Sequence, residues 1–446
     1  MLARREVAVS LRRCCGFRED GGAPVQHAGV LSFSFVSGLP MNQPDRNRRL
    51  RIAAVVTEYR RYSHAQHILD RFLWGYGFEG RHHRPEMDLV SMYVDQQPEG
   101  ELSGERVRQF PQLKAYPSIG EALTLGGDKL AVDGILLIGE HGRYPTNEKG
   151  QKLYPRYEFF QKIIEVFRAS GRTCPVFNDK HLSWNWDWAQ EMVETAKTMG
   201  FAFMAGSSLP VTRRIPAIDM PLQAELSEAF CLAPGGIDGY DIHALETAQC
   251  MVERRKGGET GVEYIEASQE GEVWSRMERD EWDQGGWDRE LLQACLCRSQ
   301  SLVPSREGFN HVLPTTAEIP AQVKENHGPY CYRYRHRDGL KMTMLLAEGV
   351  VNDFTFAARF RGTGKVLSTH FHLPPREVCN FFSPLAYHAE QMFLTGKSPI
   401  PIERNLLTTG LTAAGVESLF QGGKRLPTPH LDIVYQPRPQ STFWRT

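Results

Sequence analysis

Residues 132–138 read Val-Asp-Gly-Ile-Leu-Leu-Ile, and the fold can be predicted outward from this short apolar run. It is apolar on both faces, as expected of a central strand in a parallel sheet that is covered on both sides. On either side of it, apolar runs alternate with segments whose apolar residues have helical spacing. The predicted strands are 51–56, 89–94, 175–177 and 201–205, and the predicted helices are 62–74, 119–125, 157–170 and 188–199. This alternation predicts a doubly wound parallel sheet, which binds ligands at the carboxyl ends of its strands.

After about residue 210 the pattern changes to strand-like runs separated by turns, which is typical of an antiparallel sheet. The predicted elements are a helix at 239–254, strands at 262–267, 330–334, 341–348, 351–360 and 367–372, and helices at 382–396 and 406–421. The predicted fold class is therefore α/β, with an N-terminal Rossmann-like sheet and a C-terminal α/β domain with an open, mostly antiparallel sheet. The predicted segments are a flexible extension at 1–45, a Rossmann-like nucleotide-binding-type domain at 46–208, a C-terminal substrate and oligomerisation domain at 209–436, and a tail at 437–446.

The composition limits the classes of protein to consider. The 446 residues carry 52 Lys and Arg against 53 Asp and Glu, so the formal net charge is −1. A general nucleic-acid binder needs a basic excess, and no apolar run approaches the roughly 20 residues of a membrane span. The nine cysteines are scattered and form no CxxC pair, which favours a reducing cytoplasm over a disulfide framework. We therefore expect a small-molecule ligand, no nucleic-acid partner and no membrane partner.

The turn after the first predicted strand is the place where a dinucleotide fold holds phosphate. Residues 57–64 read Thr-Glu-Tyr-Arg-Arg-Tyr-Ser-His, without the three glycines that allow close approach of a pyrophosphate. The bulky Tyr59 and Tyr62 stand in that space, which argues against ordinary NAD binding. Arg60 and Arg61 could hold an anion at the start of the helix, or could simply lie in solvent.

Two charged residues come at the carboxyl ends of predicted strands. Asp95 ends the second strand, where a carboxylate would bind the ribose of a dinucleotide, although aspartate is also a common turn residue there. Lys180 follows the fourth strand directly. A lysine at that place points into the crevice, where its ammonium group can polarise a hydroxyl or carbonyl group. An exposed loop lysine is the alternative, and the placement favours a role in the site.

The helix of the second domain opens with Asp-Ile-His-Ala-Leu-Glu at 241–246. Asp241 lies two residues before His243, and Glu246 lies about one helical turn after it. We expect the Glu246 carboxylate to hydrogen-bond the imidazole and fix its tautomer, which is the relation between a general base and its orienting group. The alternative is a structural histidine that is held by its neighbours.

A polar loop at 80–88 concentrates His82, His83, Glu86 and Asp88. Imidazole and carboxylate groups together can hold a divalent metal ion, and this loop is the main support for non-redox chemistry. Adjacent histidines on a polar loop are more often simply exposed. Our first prediction is therefore that the chain has no metal site. A metal site formed by these four residues is the alternative.

In their order and spacing, several segments resemble the glucose–fructose oxidoreductase / inositol dehydrogenase / MocA (Gfo/Idh/MocA-like) family, from about residue 51 to residue 436. Residues 132–138 look like the family's Asp-Ala-Val-Val-Ile-Ala-Thr strand, and residues 179–181 (DKH) stand where the family has Glu-Lys-Pro. Residues 241–246 match its Asp-x-x-x-His-x-x-Asp segment loosely. Residues 396–399 (GKSP) and 413–419 (AAGVESL) look like its C-terminal run.

The resemblance implies an NAD(P)-dependent oxidoreductase that acts on a hydroxyl group of a sugar, cyclitol or related polyol. It implies that His243 takes the hydroxyl proton and Lys180 stabilises the oxygen, with Asp241 and Glu246 completing the catalytic set. The implied cofactor contacts are Thr57, Tyr59, Arg60, His64, Asp95, Glu140, His141 and Asp179. A homo-oligomer that pairs through the C-terminal sheet is also implied. The chain departs from the family in its missing glycine fingerprint, in His181 for proline and in Glu246 for aspartate.

Three functions stay open at this point. A sugar or cyclitol oxidoreductase predicts an open groove over residues 57–64 and NAD or NADP as cofactor. A lyase, hydratase or isomerase predicts proton transfer by Lys180 and His243, or a divalent metal ion held by converging histidines and carboxylates. A non-catalytic binding protein predicts that Tyr59 and Tyr62 fill the nucleotide groove and that Lys180 lies far from His243.

Overall fold

The computed structural model describes residues 48–302, 318–320, 323, 328–374 and 379–445, so the predicted extension at 1–45 lies outside the described residues. The first half contains β1 (Leu50–Glu58), α1 (His64–Trp74), β2 (Tyr76–Phe78), β3 (Arg81–His83), β4 (Met87–Gln96), α2 (Ser103–Gln109), β5 (Lys114–Ala115), α3 (Ile119–Thr124), β6 (Gly134–Ile138), α4 (Arg156–Ser170), β7 (Val176–Asp179), α5 (Trp186–Met199) and β8 (Phe203–Gly206). The second half contains β9 (Arg214–Ile215), β10 (Leu226–Ala233), α6 (Asp241–Val252), β11 (Glu259–Thr260), β12 (Val262–Gln269), α7 (Gly271–Met277), α8 (Arg289–Arg298), β13 (Tyr330–His336), β14 (Lys341–Leu346), β15 (Phe354–Phe360), β16 (Val366–Phe371), α9 (Ser383–Thr395), α10 (Ile402–Phe420), β17 (Leu426–Pro427) and β18 (Val434–Tyr435).

Six strands form a parallel sheet in the order β5-β4-β1-β6-β7-β8. This is the strand order of doubly wound dinucleotide folds, and it confirms the fold predicted for the first half of the chain. Every residue of β6 is buried, as expected of a central strand. The strand order reverses between β1 and β6, so the crevice at their carboxyl ends is the expected ligand site.

Eight strands form a second sheet in the order β17-β12-β13-β14-β10-β15-β16-β9. Only the pair β10 and β14 is parallel among the strand pairs described for this sheet, so the predicted mostly antiparallel sheet is confirmed. Its β10 strand was not predicted, because Ser227 and Glu228 interrupt the apolar run. α6 and α10 pack on one face, while α8 packs on the other face against β10, β15 and β16. Pairing of two copies through this sheet stays a prediction, with α8 lying over part of one face.

The helix α9 comes late in the chain but packs against the parallel sheet. It lies beside α1 and shares a hydrophobic cluster with β1, β4 and β6. Phe393 of α9 comes so close to β6 that a Cβ atom at Gly134 would lie 2.5 Å from its Cδ1. Trp444 belongs to the same cluster. The last part of the chain therefore completes the core of the first sheet.

No helix among the described residues is both long and apolar enough to cross a membrane. The cysteines in these residues, from Cys174 to Cys379, form no disulfide bond with one another.

The close packing of α10 on β13 gives a first prediction about stability. A Cβ atom at Gly415 would lie 2.3 Å from Cε2 of Tyr332, whose side chain is fully buried and has no room to move aside. We expect Gly415→Ala to lower the free energy of unfolding by about 1–3 kcal/mol, the range for an overpacked core. Chemical denaturation measures this change.

Gly120→Ala in α3 is the matched control for this substitution. No heavy atom of the described residues lies within 4 Å of a Cβ atom at Gly120. Alanine is the better helix former by up to about 1 kcal/mol, so the control should be neutral or more stable than the parent. The same loss in both variants would contradict the packing explanation.

Candidate functional site

The carboxyl ends of β1, β6 and β7 bring several predicted site residues to one crevice. Glu58 ends β1, Glu140 follows β6, and Asp179 ends β7 with Lys180 next in the chain. The backbone N–H of Lys180 donates to the carbonyl of Gly206 at 3.2 Å, which joins this edge to the end of β8. The edge of the sheet therefore positions each of these groups through the backbone.

Lys180 holds its ammonium group inside the crevice. It has a left-handed backbone conformation with φ of 61°, and only 5% of the residue is exposed. Its Nζ donates to Glu140 Oε1 at 2.7 Å and to the carbonyl of Gly239 at 3.3 Å. Because Gly239 lies just before α6, Lys180 spans from the parallel sheet to the helix that carries His243. The alternative of an exposed loop lysine is therefore wrong.

The partner of Glu140 on its other side is Arg156, which the sequence analysis missed. Arg156 is fully buried, and it donates from Nη2 to Glu140 Oε2 at 2.7 Å while its Nη1 lies 3.0 Å from His181 Nε2. Burial alone would raise the pKa of Glu140, but the charges of Lys180 and Arg156 hold it well below its usual range. Gly139 was the sequence feature that could have indicated a large side chain packed against this segment, because a Cβ atom at Gly139 would lie 2.5 Å from Arg156 Cγ.

His243 lies in the first turn of α6 with its imidazole buried. Its Nδ1 is 2.5 Å from the hydroxyl oxygen of Ser207, which leaves Nε2 as the nitrogen for proton transfer. Burial, together with the charge of Lys180, lowers the pKa of His243 well below its usual value. The imidazole is therefore neutral near pH 7, as a general base must be before it accepts a proton.

The predicted hydrogen bond from Glu246 to His243 is wrong. The Glu246 carboxylate instead accepts from the backbone N–H of Ser207 and, at 2.8 Å, from Asn405 Nδ2. The physical reason is Gly206, which lacks a Cβ atom and so lets the turn after β8 approach Glu246 to within hydrogen-bonding distance. Burial raises the pKa of Glu246 to about 7. Glu246 thus positions the residue that contacts His243, and does not contact the imidazole itself.

Two aspartates lie at the start of α6, and the sequence analysis named only one of them. Asp241 is buried and accepts from the Tyr332 hydroxyl at 3.0 Å, and burial raises its pKa to about 6. Asp238 accepts from the backbone N–H of Lys152 at 2.6 Å, while its Oδ1 is buried with no partner among the described residues. Burial, followed by the charge of Asp241, raises the pKa of Asp238 to about 7. Residues 235–239 (GGIDG) are typical of a turn, so the burial of the Asp238 Oδ1 atom could not be predicted from the local sequence.

The raised pKa of Asp238 predicts how stability depends on pH. Between its ordinary pKa of about 3.9 and the folded value near 7, the folded chain binds more protons than the unfolded chain. The free energy of unfolding therefore falls as pH rises through this window. Asp238→Asn stays neutral, so we expect it to match the parent near pH 4 and to be more stable by about 1–3 kcal/mol above pH 7. Denaturation curves across this pH range measure the difference, and Asp128→Asn on the surface is the control. If the free energies of unfolding of the parent and of Asp238→Asn changed in the same way with pH, the stabilisation expected from Asp238→Asn above pH 7 would be contradicted.

Three imidazoles meet beside the Lys180 ammonium group. His64 donates from Nδ1 to Asp179 Oδ2 at 2.6 Å, and its ring centroid lies 5.4 Å from that of His141 and 6.3 Å from that of His243. Burial lowers the pKa of His141 to about 3, and the positive charge that His64 carries when it is protonated acts in the same direction. His141 Nε2 and Asp179 Oδ1 are buried and have no partner among the described residues. These unpartnered polar atoms mark the crevice as a place where a ligand could bind.

Two further residues of the predicted cofactor set have structural partners. Thr57 donates from its hydroxyl to the carbonyl of Glu140 at 2.7 Å, which ties the end of β1 to the end of β6. Tyr59 is fully buried in the hydrophobic cluster under α1, where its hydroxyl donates to Asp70 and Arg106 lies over its ring. The prediction that Tyr59 contacts a cofactor is therefore wrong, because its ring packs into the core.

The first turn uses its own backbone N–H groups. Those of Arg60 and Gln66 each donate to the Ser63 hydroxyl at 3.2 Å. Those of Tyr62 and Ser63 donate to Gln66 Oε1 at 2.5 Å and to the carbonyl of Arg60 at 3.0 Å. A buried carboxylate, Glu58, also stands at the end of β1 and pairs with Arg60. The backbone N–H groups of Arg60, Tyr62, Ser63 and Gln66 are thus used within the turn, whereas the turn of a dinucleotide fold offers its N–H groups to a pyrophosphate.

Asp95 lies at the end of β4, where the sequence predicted a ribose-binding carboxylate. Its two oxygens accept from the hydroxyls of Tyr93 at 2.7 Å and Tyr144 at 2.6 Å. A ribose would have to share or displace these two hydroxyl groups.

The alternative metal ligands do not converge. His82 Nε2 bonds the carbonyl of Trp74 at 2.8 Å, and His83 Nε2 bonds Glu390 at 2.8 Å. Asp88 pairs with Arg49, while the backbone of Glu86 donates to Glu390. The alternative is wrong because successive strand residues point to opposite faces, which separates His82 from His83. Across the described residues there is no group of three or more His, Cys, Asp or Glu that could hold a metal ion.

Comparison with known proteins gives similarity in structure and not in sequence. No family model matches the sequence, and no curated protein matches it. Among solved structures, GenD2 from gentamicin A biosynthesis in complex with NAD has a TM-score of 0.52 at 10% identity, over 87% of this chain and 99% of that chain. A probable dehydrogenase from Thermotoga maritima has a TM-score of 0.50 at 12% identity, over 86% of this chain and 100% of that chain.

A third similar structure is myo-inositol dehydrogenase from Lactobacillus casei in complex with NAD(H) and myo-inositol. It has a TM-score of 0.50 at 12% identity, over 88% of this chain and 99% of that chain. At these identities the similarity is one of fold. The fold implied by the resemblance to the glucose–fructose oxidoreductase / inositol dehydrogenase / MocA family is therefore confirmed.

Proposed function

We propose that this chain, which has the two-domain fold of these dehydrogenases, is an oxidoreductase that acts on a hydroxyl group of a small sugar, cyclitol or related polyol with an NAD-type cofactor. The observation that carries this proposal is the convergence of Lys180 and His243. Lys180 reaches from the end of β7 to the carbonyl just before α6, and His243 lies in the first turn of α6. GenD2 with NAD and the inositol dehydrogenase with NAD(H) and myo-inositol supply the cofactor and substrate class.

The residues of the crevice have separable tasks in this reaction. His243 accepts the hydroxyl proton at Nε2, because Ser207 occupies its Nδ1. Lys180 donates a hydrogen bond to the same substrate oxygen and stabilises the negative charge that develops on it. Glu140 and Arg156 keep the ammonium group of Lys180 in place, since the Glu140 carboxylate accepts from it while Arg156 holds that carboxylate from the other side.

The crevice fits the two halves of a dinucleotide unequally. Asp179 Oδ1 and His141 Nε2 are buried and free for a ribose or a carboxamide at the ends of β7 and β6. The phosphates would depend largely on the side chains of Arg60 and Arg61, because four N–H groups of the turn are engaged within it. When bound, the nicotinamide ring would supply the acceptor for the hydride that leaves the substrate carbon.

The engaged N–H groups also favour one alternative, a lyase, hydratase or isomerase in which Lys180 and His243 transfer protons without a redox step. A metal-dependent form of it lacks support from the residues at 80–88. The non-catalytic alternative required Tyr59 and Tyr62 to fill the nucleotide groove. Tyr59 lies in the core, and Tyr62 is 41% exposed.

Native mass spectrometry of freshly purified protein, with its absorbance spectrum, distinguishes these functions. The oxidoreductase predicts bound NAD(H) or NADP(H), or turnover when a panel of sugars and cyclitols is supplied with NAD⁺ or NADP⁺. A nucleotide-free protein with no turnover on the panel would overturn the oxidoreductase and favour the non-redox alternative. The same mass measurement gives the oligomeric state.

In the same proposal, residues 46–208 carry the cofactor side and residues 209–436 the substrate side of the crevice. A cytoplasmic location is part of this proposal, since a reducing compartment suits cysteines that form no disulfide bond among the described residues.

A further inference from the structure

We propose that His64, held by Asp179, carries the proton from His243 to solvent. This inference rests on the proposed function, because it needs His243 to accept a proton in every turnover. It assigns a second proton-transfer group to the crevice, beyond the contact with cofactor that the family resemblance implies for His64.

The need for such a group follows from the burial of His243. Only 9% of the residue is exposed, and its imidazole is enclosed by Ser207, Phe354 and Tyr240. A proton taken from a substrate has to leave before the next turnover. The neighbouring ammonium group of Lys180 already carries its full complement of protons and cannot accept another. The proton therefore has to pass to a different basic group.

His64 has the geometry that this transfer requires. It is the first residue of α1, its side chain is 15% exposed, and its ring centroid is 6.3 Å from that of His243. The Asp179 carboxylate, which is 1% exposed, accepts the Nδ1 proton of His64 at 2.6 Å. The tautomer is thereby fixed with the lone pair on Nε2, and the carboxylate compensates the positive charge when the ring takes up a second proton.

The other nearby imidazoles lack one of these properties. His181 is 1% exposed, and its Nε2 lies against the Arg156 guanidinium. The Nε2 atom of His141 is buried and its Nδ1 lies 3.4 Å from the Arg60 guanidinium, so this ring faces a cation and has no carboxylate partner among the described residues. His67 is stacked on Phe382 at 5.0 Å and has no hydrogen bond to a carboxylate in the described residues. Only His64 combines a carboxylate partner with access to solvent.

The proton moves in two steps and no other atoms are transferred. It leaves His243 Nε2 and reaches His64 Nε2 through a solvent molecule, which gives an imidazolium paired with the Asp179 carboxylate. His64 then releases a proton to bulk solvent and returns to its neutral form with a proton on Nδ1.

The first experiment needs no substrate. Nitrogen NMR of protein labelled at histidine reports which ring nitrogen carries the proton. The signals of His64 are assigned by their absence from the spectrum of His64→Ala. We expect the tautomer protonated at Nδ1 in the parent and a mixture of tautomers in Asp179→Asn, while the signals of His388, whose Nε2 bonds the carbonyl of Thr442, stay unchanged. A parent His64 protonated at Nε2 would overturn the relay, because no lone pair would face the incoming proton.

The second experiment uses the substrate found with the panel above. His64→Ala should lower kcat by about 100-fold with little change in KM, and added imidazole should restore kcat in a saturable manner. His243→Ala should lose turnover without this rescue, and His67→Ala is the matched control on the same helix. With parent turnover present, an unchanged kcat in His64→Ala overturns the relay and leaves the oxidoreductase standing. No parent turnover on any substrate overturns both.

Discussion

Lys180→Met should lower turnover by about 100- to 10,000-fold while the chain stays folded, because the ammonium group that stabilises the substrate oxygen is lost. Methionine has a similar length and no charge. Glu140 keeps its ion pair with Arg156 in this variant, so the buried carboxylate does not lose its only partner. We therefore expect a small change in the thermal midpoint beside a large loss of kcat. Steady-state kinetics on the substrate selected by the panel, together with thermal unfolding, measures both.

The matched control is Lys162→Met, on the outer surface of α4. Lys162 is 60% exposed in its side chain and pairs with Glu165 one turn along the helix. Such a surface pair contributes little to stability and lies outside the crevice. Turnover of Lys180→Met equal to that of the control would remove Lys180 from the catalytic set.

Arg156→Met should lower the free energy of unfolding by about 3 kcal/mol, at the lower end of the range for breaking a buried ion pair. The guanidinium is fully buried between Glu140 and His181, and its removal leaves Glu140 with Lys180 alone. Because Lys180 remains, part of the compensation is retained. Urea denaturation measures the loss, and we expect kcat to fall as well, since Lys180 would be drawn to a less well neutralised carboxylate.

Arg168→Met, three turns further along the same helix and exposed to solvent, controls for the change in helix composition. Its free energy of unfolding should stay within about 0.5 kcal/mol of the parent. Equal stability of the two variants would show that the Glu140–Arg156 ion pair contributes nothing net.

Periodicity predicted most of the first sheet, because β1 and β6 contain uninterrupted apolar runs and each is followed by a helix with one apolar face. It failed at β10, where Ser227 and Glu228 break the run, and neighbouring strands impose the extended conformation. In the crevice, placement at the end of β7 was enough to find Lys180. Helical spacing alone suggested that Glu246 contacts His243, and it could not include the Ser207 turn that lies between them. Arg156 and Asp238 could not be predicted as residues of the crevice, because their burial depends on residues that are distant in sequence.

The position of α9 has a consequence for how the protein is made. The strands of the parallel sheet are synthesised before those of the second sheet. The part of the parallel sheet that α9 covers stays exposed until Ser383–Thr395 has been synthesised. By then β10 to β16 have already been made. Chains usually fold domain by domain during synthesis, but here we expect the earlier sheet to expose apolar surface while the later one is being made. A ribosome stalled before residue 383 should therefore display a protease-sensitive first half, although that half contains every strand of its sheet.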